Sequence, residues 1–142
     1  MSQAHLEIIK RGLEAFNGRD VESFAELAAD DFVWRPALPG AVEGGSYVGR
    51  SGISRYFSES QSTWERLTVL GDEVLDLDGS VLVLGRALGR GLGSGVDVET
   101  PLAFIAEFRG DQIANVTTYL NHADALKAAG LKDQPYPRTT TR

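Results

Sequence analysis

The chain contains no cysteine, one methionine and two histidines in 142 residues. Without cysteine there is no disulfide framework, no thiolate metal site and no cysteine nucleophile. His5 and His122 stand far apart in the sequence and complete no tetrahedral set, so no metal is expected. Basic residues are also in the minority, with fourteen Lys and Arg against twenty Asp and Glu and a net charge of -6. They are scattered along the chain, whereas a phosphate backbone needs clustered cations. That argues against nucleic acid as a partner, and the same acidity disfavours an anionic membrane surface. There is no long apolar run and no basic N-terminal region, so neither a transmembrane helix nor a signal peptide is expected, and a cytoplasmic location follows. Gly89-x-Gly91-x-Gly93-x-Gly95 lacks the Lys-Ser/Thr and the following helix of a phosphate loop and reads as a hairpin loop. No cofactor is expected. What remains is 42% hydrophobic and 24% charged, ordinary for a globular chain able to bury roughly two thirds of its unfolded surface around one core. A small hydrophobic molecule is the kind of partner left.

The periodicity places the elements. Leu6, Ile9, Leu13 and Phe16 recur at helical spacing from Ala4 to Phe16, with Asn17-Gly18 as a left-handed stop. Asp20 is a natural N-cap for a second helix that buries Val21, Phe24 and Leu27 and ends before Asp30-Asp31. Phe32 to Arg35 reads as a brief edge strand, closed by Pro36 and Pro39, which cannot donate to a ladder. A glycine-containing loop over 40–49 leads to a third helix from Arg50 to about Ser62, with Ile53, Phe57, Ser60 and Trp64 on one side and Tyr56 beside them. The period then changes to two. Thr68–Leu70 and Glu73–Leu77 meet the hairpin signal Asp78-Gly79, and Ser80 to Arg86 returns. Val96–Phe108 and Gln112–Leu120 complete four consecutive antiparallel strands. A last helix runs from about Ala123 to Ala129, with Gly130 at its end. One domain over 1–132 is expected, followed by a flexible tail over 133–142 that lacks periodic hydrophobics. The order predicts an α+β fold, with helices on one face of a curved antiparallel sheet.

Several segments carry a family resemblance. They are Phe16-Asn17-Gly18-Arg19-Asp20, Asp30-Asp31-Phe32-Val33-Trp34, Tyr47-Val48-Gly49-Arg50-Ser51-Gly52-Ile53, Ile113 to Tyr119, and Ala125 to Leu131. In order and spacing the chain resembles the SnoaL-like branch of the NTF2-like superfamily, which includes polyketide cyclase-like and ketosteroid isomerase-related proteins. The resemblance implies a cone-shaped α+β barrel whose open end holds a small apolar ligand, and a homodimer formed through the sheet. It also directs attention to a pocket acid or base, since the isomerases place an aspartate beside the substrate carbon with acids at the enolate oxygen. That set has no match here. Cofactor-free isomerisation, cyclisation or hydration of a bound metabolite and a noncatalytic ligand-binding or dimerisation module both remain open, because this scaffold hosts many activities.

Candidate residues follow from both readings. Relatives with Tyr-x-Asp at the end of the last strand have an acid where this chain has Asn121. Asn121 with Asp124 three residues later reads either as an N-cap or as a site residue. His122 is a candidate acid or base near neutral pH, or a solvated helix residue. His5, on the first helix, reads as an ordinary surface position. Arg86 resembles the arginine of the Asp-Arg-Asp set in limonene-type epoxide hydrolases, but Leu88 and Thr118 stand where that comparison puts the acids. Arg86 interrupts a face made of Leu82, Leu84 and Leu88, and either orients a ligand oxygen in the pocket or pairs on the outer face. Trp34 and Tyr56, each an apolar body with a polar tip, are the expected ligand contacts, with Phe16, Phe57, Phe104 and Thr118 as further lining. Asp97 and Glu107 read as solvent-facing.

Overall fold

The computed structural model describes residues 3–36, 46–77, 79–130 and 139–140. The elements are α1 (Gln3–Asn17), α2 (Val21–Leu27), β1 (Ala28–Arg35), β2 (Tyr47–Val48), α3 (Gly49–Thr63), β3 (Trp64–Asp76), β4 (Ser80–Gly91), β5 (Asp97–Arg109), β6 (Gln112–Tyr119), α4 (His122–Ala128) and β7 (Thr139–Thr140). Most of the expected loop over 40–49, Asp78 of the hairpin signal and residues 133–138, 141 and 142 of the expected tail lie outside the described residues.

The strands form one curved, unclosed sheet in the order β2-β1-β6-β5-β4-β3-β7. The meander β3 to β6 is antiparallel throughout, as its hairpin signals predict. Two expectations need correction. β1 runs parallel to β6, with Trp34 opposite Val116, so the sheet is mixed and not antiparallel. β1 is also an interior strand, flanked on its other side by the two-residue β2. Helix α3 and four strands separate β1 from β6, so no hairpin sets their relative direction, and strand periodicity carries no information on partners. A further strand, β7, places Thr139 and Thr140 opposite Val74 and Glu73, in a region without the apolar alternation that marks strands.

The interior strand β4 is buried on both faces: Val81, Leu82, Val83 and Leu84 are each at most 2% exposed. Val81 and Val83 pack with α1, α2 and α3, whereas Leu82 and Leu84 pack with Leu75, Ala103 and Ala125. The helices therefore do not share one face. α4 covers the opposite side through Ala125, with Leu126 and Ala129 against the same cluster. A helix this short presents too few apolar positions for its sequence to indicate a face.

Two local devices fix the frame around the site. α1 ends with Arg19 in the left-handed region at φ 57, with Asp20 N–H donating to Ala15 O at 2.8 Å and Arg19 N–H to Phe16 O at 3.1 Å. This is a Schellman stop; Arg19, not Asn17 or Gly18, takes the left-handed conformation. Asn17 instead bonds both polar groups of Val69, donating to its carbonyl at 3.0 Å and accepting from its N–H at 2.9 Å. Arg19 donates to Glu65 O at 2.6 Å. Together they occupy the side of β3 that β4 leaves unpaired, where open strand edges otherwise invite aggregation. α2 starts as expected: Asp20 accepts from Ser23 N–H at 3.1 Å and from the Ser23 hydroxyl at 2.7 Å, bonds that lower its carboxyl pKa.

Candidate functional site

Alternation along the strands sends Val69, Leu102, Phe104, Val116 and Thr118 to the face that carries α1, α2 and α3, and the register irregularity near Ala114 brings Ile113 to the same face. There they meet Ile9, Gly12, Leu13 and Phe16 of α1, Phe24 of α2, Trp34 of β1 and Tyr56 of α3 around a cavity of about 70 Å³. The surface of the cavity is overwhelmingly apolar, and none of these thirteen residues bears a carboxylate, imidazole, ammonium or guanidinium group. For scale, a dry engineered cavity of about 150 Å³ accepts benzene. The space seen here suits a smaller body, or a larger one that displaces the half-buried Leu13, Phe16, Phe104 and Thr118.

Aromatic rings build the deep wall. Trp34 stacks on Phe24 with centroids 4.9 Å apart and planes 5° from parallel, and its ring lies 4.4 Å from that of Tyr56. Phe16 meets Trp34 edge-on at 5.9 Å and lies 6.2 Å from Tyr56. Trp34 is therefore packed between protein rings, in the stacked and tilted arrangements that ring quadrupoles favour. Its environment is a close-packed cluster and not an open aromatic box.

Tyr56 is the chemically distinctive member. It is 5% exposed, and its hydroxyl has no hydrogen-bond partner among the described residues. Burial, and secondarily the neighbouring Tyr47, push its phenol pKa up, so it remains a neutral O–H donor. Tyr47 stands behind it, 5.2 Å away edge-on, fully buried and donating to Glu59 Oε1 at 2.5 Å. Arg55 covers the Tyr47 ring at 4.5 Å and faces Glu59 at 3.7 Å. This arrangement holds Tyr47 rigidly under Tyr56. Gly52 makes the approach feasible, because a Cβ there would lie 2.6 Å from the Tyr47 backbone.

The structure divides the sequence-derived candidates. Phe16, Trp34, Tyr56, Phe104 and Thr118 converge on the cavity. Phe57 does not line it; it is 3% exposed and packs edge-on against Phe16, Phe24 and Trp34 behind the wall. Arg86 lies on the α4 face, where it bonds both carboxylate oxygens of Asp72 at 3.0 and 3.3 Å and approaches Glu99 at 3.5 Å. Its hydrogen bonds to these acids, Asp72 foremost, and their negative charge hold its pKa above the usual value. Thr118, which the epoxide hydrolase comparison groups with it, is on the other side of the sheet.

Asn121 caps α4, accepting from Asp124 N–H at 2.7 Å and donating to its carboxylate at 2.9 Å. His122 donates through Nε2 to Gly85 O at 2.9 Å, since a carbonyl can only accept. Neither residue lines the cavity. His5 also has a specific setting, stacked on Phe108 at 4.0 Å and bonded to Gly110 O at 2.9 Å, which ties α1 to the β5–β6 turn. Asp97 and Glu107 are exposed as expected, paired with Arg90 and Asn115.

Phe24 and Gly12 are among the eight lining residues that the sequence reading did not name as cavity residues. Phe24 reads as ordinary helix stripe, and only the packing of α2 over β1 brings it to the wall. No group of three or more potential metal-ligating side chains occurs among the described residues, and no described helix is long and apolar enough to cross a membrane.

Comparison with known proteins agrees with this architecture. An NTF2-like protein of unknown function from Burkholderia pseudomallei superposes with a TM-score of 0.76 at 16% identity, over 89% of this chain and 97% of that one. A hypothetical protein with a ketosteroid isomerase-like fold from Catenulispora acidiphila, crystallised with trimethylamine, gives 0.72 at 21% identity over 92% and 98%. A putative polyketide cyclase from Xanthomonas campestris gives 0.73 at 18% identity over 89% and 97%. These likenesses establish the fold. No curated protein matches the sequence. The family model of the SnoaL-like domain matches residues 9–116, more than half of the chain, and the protein therefore belongs to the SnoaL-like domain family.

Proposed function

We propose that the protein binds a small, neutral, mainly apolar molecule with one oxygen acceptor, held in the cavity by apolar contact and by a hydrogen bond from Tyr56. One observation carries this reading: an apolar cavity whose lining contains an unpaired buried phenol and no ionic group. A buried charge without a partner costs several kcal/mol, so an ammonium or carboxylate ligand fits poorly. The covered faces of Trp34 argue against cation recognition by an open aromatic cage. Proton abstraction needs a base within hydrogen-bond reach, and none of the lining residues supplies a carboxylate or imidazole. The site is suited to holding a carbonyl or ether and polarising it, so binding is favoured over isomerisation or cyclisation.

The test is thermal unfolding of the whole chain with 2-alkanones from 2-butanone to 2-octanone, with trimethylammonium and the matching carboxylates as charged controls. Ligand at about a hundred times its dissociation constant should add about 2.7 kcal/mol of stability. Ketones should raise the midpoint and the ions should not; the reverse pattern, or turnover abolished by a cavity variant, would overturn the reading.

We also propose pairing of two copies through the α4 face of the sheet. There Thr68 and Leu88 border a groove rimmed by Arg66, Arg90, Asp97 and Glu99, a mixed-sign rim that suits a self-complementary two-fold contact. Sedimentation should give a dimer that Leu88→Asp dissociates; a monomeric wild type would reject the pairing.

A further inference from the structure

Gly12 lies in the middle of α1, is buried and lines the cavity. A glycine in a helix interior is destabilising relative to alanine, because the unfolded chain has more freedom to lose, so its presence calls for a reason. Left-handed backbone is not the reason: Gly12 is not among the glycines with positive φ. Close helix packing is not the reason either. A Cβ at this position would meet Leu27 Cδ1 at 3.8 Å and Phe24 Cε2 at 3.9 Å, both ordinary van der Waals contacts. Gly52, by contrast, has backbone 2.6 Å from the same construction and is required sterically. A methyl at position 12 would stand between Leu27, behind the wall, and Phe24, which with Gly12 itself lines the cavity.

We infer that Gly12 is a specificity-determining residue, which keeps the α1 wall recessed and so sets the largest ligand the cavity accepts. This rests on the ligand-binding reading above. In a cavity of about 70 Å³, one methyl is a substantial fraction of the room available, and α1 forgoes helix stability to leave it empty.

The test compares the wild type with Gly12→Ala by thermal unfolding, by binding of the 2-alkanone series, and by xenon occupancy of the cavity, since apolar cavities take up xenon whatever their natural ligand. The variant should melt about 3 °C higher without ligand. Its chain-length limit should fall to shorter ketones, with the longest ketone accepted by the wild type bound roughly tenfold more weakly or worse, and xenon occupancy should drop. A lower melting point would show that the glycine serves packing, and unchanged xenon occupancy would show that it does not shape the cavity; either overturns the inference. If the wild type takes xenon but no ketone, the ligand class proposed above fails; if the variant then loses xenon, Gly12 still shapes the cavity.

Discussion

Replacing Tyr56 by phenylalanine should lower ketone affinity while changing stability little. Tyr56 is 5% exposed and its hydroxyl bonds none of the described residues, but the oxygen is not among the buried unpartnered atoms and so keeps some accessible surface. Removing it should shift stability by no more than about 1 kcal/mol. Ketone affinity should fall roughly three- to tenfold, the worth of one neutral hydrogen bond, while binding of an alkane of equal length should not change. A pH arm tests the same group. Burial raises the phenol pKa above its ordinary 10.0, so above about pH 10 the unfolded chain releases a proton that the folded chain retains. Wild-type stability should then decline with rising pH by up to about 1.4 kcal/mol per unit from this residue, and Tyr56→Phe should lack that part of the decline. Urea unfolding at neutral and alkaline pH, with ketone and alkane titrations, measures all three. A variant destabilised by more than about 1 kcal/mol would show that the hydroxyl is satisfied within the fold, and equal loss of ketone and alkane binding would show that it contacts no ligand oxygen.

Other positions give sharper structural tests. Asn121→Ala should cost about 1 kcal/mol by removing the α4 cap, Asn121→Ser should largely restore it, and neither should change ligand affinity in a titration. Arg86→Leu should leave ketone binding unchanged, because its partners Asp72 and Glu99 lie across the sheet from the cavity; a loss of binding in the folded variant would contradict that placement. Gly85→Ala should destabilise by more than about 3 kcal/mol, since the new Cβ would sit 1.8 Å from Leu70 O; near-native denaturant unfolding would refute the packing described around Gly71 and Gly85.

Much of the fold is legible in the sequence because its signals are local. The apolar spacing of α1 and the Asp20 cap each act within a few residues and appear where local chemistry puts them, and the meander from β3 to β6 follows its hairpin signals, although β4 continues through Gly89 to Gly91 into the expected loop. What is not legible depends on partners distant in the chain. Nothing near Phe32 or Trp34 indicates that β1 will lie parallel to β6, and nothing near Ala125 indicates that α4 will cross to the far face. The site divides in the same way. Trp34 and Tyr56 are recognisable from their amphipathic side chains, whereas the face of Arg86 turns on strand register, with its partner Asp72 set at the irregularity between Gly71 and Glu73. Gly12 was invisible for a different reason: its contribution is the space it leaves, and a sequence does not show what surrounds an absent side chain.

The most direct measurement is a titration of the folded protein with one ketone of the series, its alkane and its carboxylate, followed by the indole N–H resonances of Trp34 and Trp64, with Trp34→Phe to assign them. Trp34 belongs to the cavity wall, while Trp64 packs over Gly89 outside the residues that line it. The account predicts saturable movement of the Trp34 signal with the ketone, weaker movement with the alkane, none with the carboxylate, and a still Trp64. A Trp34 signal unmoved by the ketone and the alkane, or moved most by the carboxylate, would contradict the claim that this cavity is a site for small neutral molecules.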